Sequence, residues 1–75
     1  MMTLTRAYDQ IRATYGEEEF NRRSRAGYAL FNNYGFTADL TRIRIEEADD
    51  ERRYLRFNVG RHVYELEGDK LEKVE

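Results

Sequence analysis

The sequence predicts an α+β fold in which two N-terminal helices pack on one face of a three- to four-stranded antiparallel β-meander. Apolar residues recur every three or four positions up to residue 34, and they alternate with polar residues from residue 40 onwards. Two dipeptides, Gly60-Arg61 and Gly68-Asp69, have the composition of tight hairpin turns. Because 75 residues are enough for one hydrophobic core and too few for two, we expect a single domain over residues 1–75.

The first predicted helix covers about residues 4–15. Its apolar residues are spaced by three or four positions, as on one face of a helix: Leu4, Tyr8, Ile11 and Tyr15. Gly16 then interrupts the pattern, and charged residues follow it. We therefore expect the first helix to end at Gly16; the alternative is one kinked helix that continues through it, because a one-residue connection is short.

The second predicted helix covers about residues 17–34. It begins with three glutamates, which suit the positive end of a helix dipole. Gly35 is expected to end it in the left-handed conformation, with Phe36 folding back onto the last turn. The apolar stripe that should face the core is assigned to five residues at helical spacing: Phe20, Ser24, Gly27, Phe31 and Tyr34.

The second half of the chain predicts four strands, at about residues 40–47, 53–59, 62–67 and 70–74. A type II′ turn at Gly60-Arg61 would place Phe57 opposite Tyr64 on the helix-covered face of the sheet. The same register would place Arg56 opposite Glu65 on the other face, which we call the outer sheet face.

The turn at Gly68-Asp69 extends this register into the fourth strand. It would pair Leu66 with Leu71 and Val63 with Val74. It would also place Glu65 opposite Glu72, which is unfavourable because like charges then face each other.

Composition excludes several classes of protein. The chain has no Cys, so disulfides and thiolate zinc sites are excluded and a reducing compartment is expected. It has no apolar run that suits a signal peptide or a membrane span, so we expect a cytoplasmic protein with no membrane partner. The 13 basic and 15 acidic residues leave a net charge of -2, so no overall field attracts nucleic acid.

Candidate chemistry is sparse, and we expect neither an enzyme nor a cofactor, metal or small-molecule site. His62 is the one histidine, and we expect it to be a half-buried structural residue. Ser24 has no G-x-S-x-G motif around it, and the five glycines are dispersed and form no phosphate-binding loop. The acidic segment 46–51 lacks the ligand spacing of a calcium loop, so it is interpreted as a solvated hairpin loop.

The outer sheet face is the first candidate functional site. Arginine and tyrosine are enriched at interface hot spots, and a small domain gains stability from association. We therefore predict binding to a protein partner, or to a second copy in a homodimer; a solvated sheet face is the alternative. The predicted partner-binding residues are Arg42, Arg44, Arg52, Tyr54, Arg56, Val63 and Val74.

The arginines also suggest a second hypothesis, which is nucleic-acid binding. Arg22, Arg23 and Arg25 form the densest basic run and are the predicted phosphate contacts, with Arg42, Arg44 and Arg56 as further contacts. Against this hypothesis, the segment 52–59 does not match the aromatic motif of RNA-binding sheets, and glutamates share the outer sheet face. The favoured hypothesis is a small non-catalytic adaptor, regulator or inhibitor, of the kind that phages and mobile elements encode.

Overall fold

The computed structural model describes residues 4–49, 51 and 53–75 of the chain, and of residues 4–7 it describes the backbone alone. The described residues form two α-helices, a short 3-10 helix and four strands. Their bounds are α1 Leu4–Tyr15, α2 Glu17–Tyr34, the 3-10 helix Leu40–Arg42, β1 Ile43–Asp49, β2 Tyr54–Val59, β3 His62–Glu67 and β4 Lys70–Lys73. The strands form one antiparallel sheet in the order β1-β2-β3-β4, so the predicted α+β meander is confirmed.

Gly16 separates the two helices as the sequence predicts. Its φ of 88° lies in the left-handed region, which costs a glycine little. Its N–H still donates to the carbonyl of Arg12 at 2.9 Å, and its own carbonyl accepts from the N–H of Phe20 at 3.0 Å. The junction is thus a tight one-residue connection between two helices, and the bounds predicted for both helices coincide with those observed.

The segment after α2 holds two local motifs. Gly35 adopts φ 69° and donates its N–H to the carbonyl of Phe31 at 2.8 Å, which is the predicted left-handed cap. Asp39 then caps the 3-10 helix, because its carboxylate accepts from the N–H and the hydroxyl of Thr41 at 2.9 and 2.7 Å. This cap explains why the first strand begins at Ile43 and not near residue 40.

A β-bulge in β1 changes the end of the first strand. Ile45 pairs with Phe57 and Glu47 pairs with Arg56, so Glu46 is an extra residue on β1. The extra residue shifts the alternation by one and brings Ala48 opposite Leu55. The strand therefore continues to Asp49, where a loop was expected from residue 48.

The predicted register of both later hairpins is confirmed. Gly60 has φ 62° and Arg61 has no positive φ, as in a type II′ turn, and the Phe57 and Tyr64 rings stack at 5.4 Å. The unfavourable pairing of Glu65 with Glu72 is also present. At the end of β4, the carbonyl of Val63 accepts from the N–H groups of both Val74 and Glu75, so a second bulge replaces a simple pairing of Val63 with Val74.

The core lies between α2 and the sheet, and α1 packs mainly against α2. The buried hydrophobic residues are Ile11, Phe20, Ala26, Ala29, Leu30, Leu40, Ile43, Leu55, Phe57, Tyr64 and Leu66. The stripe predicted for α2 is therefore wrong in its second half, since Phe31 and Tyr34 are exposed and Ala26, Ala29 and Leu30 are buried instead. Small alanine side chains bring the α2 backbone closer to the sheet than two aromatic rings would allow.

Candidate protein-interaction surfaces

Arg56 is the centre of an ion-pair network on the outer sheet face. Its Nε lies 3.0 Å from Oε2 of Glu46 and donates a hydrogen bond to it. Its terminal nitrogens lie 3.6 Å from Oε2 of Glu65 and 3.5 Å from Oε2 of Glu75. Arg56 is thus surrounded by carboxylates from β1, β3 and the C-terminal residue.

Two further side chains complete this network. The Tyr54 hydroxyl donates to Oε2 of Glu65, the oxygen that also faces Arg56. The Asn58 amide donates to Oε1 of Glu46 at 2.9 Å. Glu46 reaches both Arg56 and Asn58 because it is the extra residue of the β1 bulge, a local device that re-aims a side chain.

The hydrogen bonds of the network shift the pKa values of Glu46, Arg56 and Tyr54 away from neutral pH. The hydrogen bond from Asn58, and then that from Arg56, lowers the pKa of Glu46. The hydrogen bond to Glu46 raises the pKa of Arg56, and the hydrogen bond to Glu65 raises the pKa of Tyr54. Glu46 is therefore ionised, Arg56 charged and Tyr54 neutral across the physiological range.

Carboxylates outnumber cations on the outer sheet face among the residues that the structure describes. Cross-strand partners share a face of the sheet, and the pairings place five acidic residues with the network: Glu47, Asp49, Glu65, Glu67 and Glu72. Glu46, which has no partner in the pairing, joins them through its hydrogen bonds to Arg56 and Asn58. The basic residues that share this face by the same criterion are Arg44, Arg56 and Lys70. The surface that the sequence presented as rich in arginine is thus acidic overall.

The predicted partner-binding residues separate into groups. The structure brings Tyr54 and Arg56 together, and it places Arg44 and Val63 beside Asn58 on the same face. Arg42 belongs instead to the 3-10 helix, where its side chain is 81% exposed and lies 4.0 Å from Asp39. Val74 is half-buried in the second bulge, and Arg52 lies outside the described residues.

The three predicted phosphate contacts have protein partners. Arg23 is buried: it donates to the carbonyl of Leu40 at 2.9 Å and to Glu19 at 3.1 Å, and it lies 3.9 Å above the Tyr15 ring. Arg25 donates to the carbonyl of Arg53 at 2.8 Å, and Arg22 lies 3.9 Å from Glu18. The basic run is therefore used largely to connect parts of this fold.

A second group of exposed residues, on α2 and just after it, was missed by the sequence analysis. Tyr28 is 71% exposed and Phe31 is 54% exposed, and Tyr34 and Phe36 are exposed near Tyr64, where the helix ends. The helical spacing of the aromatic residues indicated an apolar face of α2. A second face, formed by alanine and leucine side chains, is the one that packs against the sheet, and the spacing alone does not distinguish the two.

Among the residues that the structure describes, His, Asp and Glu side chains form no cluster of three that could hold a metal ion. His62 is exposed, contrary to the half-buried position expected, and its ring lies 6.4 Å from that of Tyr64. Neither of the helices described is both long and apolar enough to cross a membrane.

Comparison of the chain with models of protein families, with curated proteins and with solved structures found no match. Any functional conclusion therefore depends on the surfaces described above.

Proposed function

We propose that the chain is a small non-catalytic protein-interaction module, an adaptor, regulator or inhibitor, that binds a basic segment of a partner protein through the outer sheet face. The observation that supports this most is the network itself: Tyr54 and Arg56 are held side by side on an open sheet face that has an excess of carboxylates.

Pre-organisation favours this surface for binding. Arg56 has contacts with three carboxylates, so its side chain has little rotamer freedom left to lose when a partner covers it. Tyr54 is fixed in the same way through Glu65. Ordered tyrosine and arginine side chains near the centre of a surface are typical of interface hot spots.

The charge of the face selects the class of partner. A basic peptide or a basic protein surface would meet Glu67 and Glu72 beside the network, where an acidic partner would be repelled. The same excess of carboxylates disfavours phosphate, so the nucleic-acid hypothesis loses support on this face. Arg23, one of its main predicted contacts, is also buried.

Fluorescence anisotropy with defined probes tests the proposal. The probes are a labelled peptide of alternating Lys and Leu, the same peptide with Glu in place of Lys, and a labelled DNA duplex. We expect the Lys peptide to bind and the other two probes not to bind. DNA binding that weakens steeply as salt rises would favour the nucleic-acid hypothesis instead, and failure of the Lys peptide to bind would reject the basic partner.

Matched charge variants show where the Lys peptide binds. Glu65→Gln with Glu67→Gln removes two charges from the outer sheet face and should weaken binding about tenfold. Glu17→Gln with Glu18→Gln removes the same charge from the start of α2 and should leave affinity nearly unchanged. Equal losses in both variants would mean that net charge alone, and not this surface, attracts the peptide.

A further inference from the structure

The open edge of β4 indicates how the partner of the proposed function binds, and the inference rests on that function. β4 is the last strand of the sheet, and just after it ends Val63 of β3 exchanges hydrogen bonds with Val74 and Glu75. Hydrogen-bonded pairs alternate along an antiparallel ladder, so Leu71 and Lys73 direct their backbone N–H and C=O groups away from β3. These groups meet no other strand among the residues that the structure describes.

The opposite edge of the sheet is less suited to a further strand. It is formed by β1, in which the bulge at Glu46 interrupts the pairing. Bulges at sheet edges protect against edge-to-edge pairing, because they break the regular row of hydrogen-bonding groups. The pairing of β4 is regular from Lys70 to Lys73. β4 is therefore the edge to which an extended segment can add.

A groove follows the edge of β4. Its volume is about 1010 Å³, and its lining includes Leu71 and Asn33 together with Tyr54, Glu65 and Glu72. Asn33 belongs to α2 and Tyr54 to the network, so the groove extends from the helix-covered side of the sheet to the outer sheet face. Successive side chains of a strand point to opposite faces of its sheet. An extended segment that lies in this groove would contact both faces, as an added strand does.

The charges beside this edge favour a basic segment. Glu65 and Glu72 lie opposite each other on the outer sheet face, which is unfavourable for like charges. Arg56 contacts Glu65, whereas Glu72 forms no ion pair with another residue that the structure describes. Lys70, also on this face, already lies opposite Glu67. A basic side chain on an added strand, directly opposite Glu72, would supply the missing cation.

We infer that a basic, extended segment of the partner adds to β4 as a fifth, antiparallel strand. Hydrogen bonds to the main chain of Leu71 and Lys73 then supply affinity, and alternate side chains supply specificity. The partner residues opposite these two share the helix-covered face, where an apolar side chain suits the half-buried Leu71. The partner residue between them lies beside Glu72 and is basic. The Lys peptide, in which Lys and Leu alternate, has this pattern.

Backbone methylation of the Lys peptide tests the inference by fluorescence anisotropy. In the added strand the leucines lie opposite Leu71 and Lys73, and their N–H groups point to β4. Methylating the nitrogens of two successive leucines should therefore weaken binding about tenfold or more. Methylating two successive lysine nitrogens is the matched control, and it should leave affinity nearly unchanged because these N–H groups point to solvent.

The unmodified Lys peptide separates this inference from the proposed function. If it does not bind, the proposed function fails and the inference fails with it. If it binds, but methylation of the leucines and of the lysines has the same effect, the basic partner stands and strand addition is rejected.

Two variants with the same charge change test the edge from the side of the protein. Lys73→Pro removes an outward N–H and places a ring on the edge, where strands tolerate proline. Lys73→Gln keeps the N–H. We expect the proline variant to bind the Lys peptide about tenfold more weakly than the glutamine variant, with the same circular dichroism spectrum. Equal affinities would contradict strand addition at β4.

Amide hydrogen exchange measured by NMR identifies the edge without any substitution. With the Lys peptide at about ten times its Kd, exchange at the amides of Leu71 and Lys73 should slow about tenfold, because the free fraction limits it. Slowing at Ala48 of β1 in place of these amides would put the peptide at the other edge of the sheet and overturn the inference.

Discussion

Arg23 shows how the role of one residue depends on burial more than on its neighbours in sequence. It lies in the most basic run of the chain, yet its guanidinium reaches the carbonyl of Leu40, the carboxylate of Glu19 and the ring of Tyr15. The planar guanidinium has several donors in a fixed fork, so it can satisfy two acceptors and stack on a ring together. Arg23 thereby joins the α1–α2 junction to the 3-10 helix.

Replacing this residue should destabilise the fold strongly. Arg23→Ala removes two hydrogen bonds, to the carbonyl of Leu40 and to the carboxylate of Glu19, together with the contact on the Tyr15 ring, and we expect a loss of about 2–4 kcal/mol in the free energy of unfolding. Arg42→Ala, at an exposed position, should change stability by less than about 0.5 kcal/mol. Urea denaturation followed by circular dichroism measures both, and equal effects would contradict the structural role of Arg23.

Gly27 is a second residue whose role the structure reveals. A Cβ at this position would lie 2.9 Å from Cδ2 of Leu40 and 3.7 Å from Cδ1 of Ile43. Both close neighbours are buried side chains. The helical propensity gained by Ala, about 1 kcal/mol, is thus opposed by a clash.

A double-mutant cycle separates these two effects. Gly27→Ala alone should destabilise the fold by about 1 kcal/mol, because overpacking exceeds the gain in propensity. In a Leu40→Ala background the clash is gone, and the same change should stabilise by up to about 1 kcal/mol. Urea denaturation of the four proteins gives the coupling; the same sign in both backgrounds would contradict the contact with Leu40.

At the scale of elements, the β1 bulge is the feature that organises the outer sheet face. It turns Glu46 towards Asn58 and Arg56, and the two hydrogen bonds lower the pKa of this carboxyl. A lowered pKa means that the network stabilises the fold fully above the ordinary value of 4.5. The contribution is lost as the pH falls through the lower pKa of the folded state.

NMR titration of the Glu46 side-chain carboxyl measures this pKa. Its midpoint should lie below 4.5, and Asn58→Ala should move it upwards because the largest cause of the shift is removed. Asn32→Ala, on α2, serves as the control and should leave the midpoint where it is. A midpoint that is the same in the Asn58→Ala variant would show that this hydrogen bond does not lower the pKa of Glu46.

The elements differ in how far the sequence predicts them, and the reasons are physical. The two later hairpins were predictable because each has a two-residue turn beginning with Gly, which fixes the register of both strands. The bulge at Glu46 was not predictable, since no particular residue type marks the position of an extra residue in a strand. The buried face of α2 was also undetermined, because Ala26 and Leu30 compete with Phe31 and Tyr34 at the same helical spacing.

Some features of the outer sheet face could likewise be predicted from the sequence and others could not. The pairing of Arg56 with Glu65 followed from the turn at Gly60, so the position of these residues on the outer sheet face was predictable. The contacts of Arg56 with Glu46 and Glu75 were not predictable. The contact with Glu46 depends on the bulge in β1, and the contact with Glu75 depends on the path of the chain after β4. The sequence thus placed glutamates on this face but did not show which of them contact Arg56.

For the whole molecule, the packing is uneven. β2 and β3 form the centre of the sheet and contain Leu55 and Phe57, which are fully buried. In α1, Ile11 is the buried hydrophobic residue among the side chains described, and Tyr8 and Tyr15 remain well exposed. Since α1 packs mainly against α2, its opening would leave the contacts between α2 and the sheet in place.

We therefore predict that α1 opens as a separate cooperative unit, which native-state hydrogen exchange in low urea can measure. Amides of α1 should exchange at a lower free energy, and with a weaker urea dependence, than those of β2 and β3. Ile43→Val, in the buried part of β1, should lower the value for the sheet by about 1 kcal/mol and leave that of α1 unchanged, because Ile43 stays packed when α1 opens. Ile11→Ala should lower both values, since its contacts are lost in either opening. An equal loss in α1 and the sheet from Ile43→Val would show that the whole molecule unfolds as one unit.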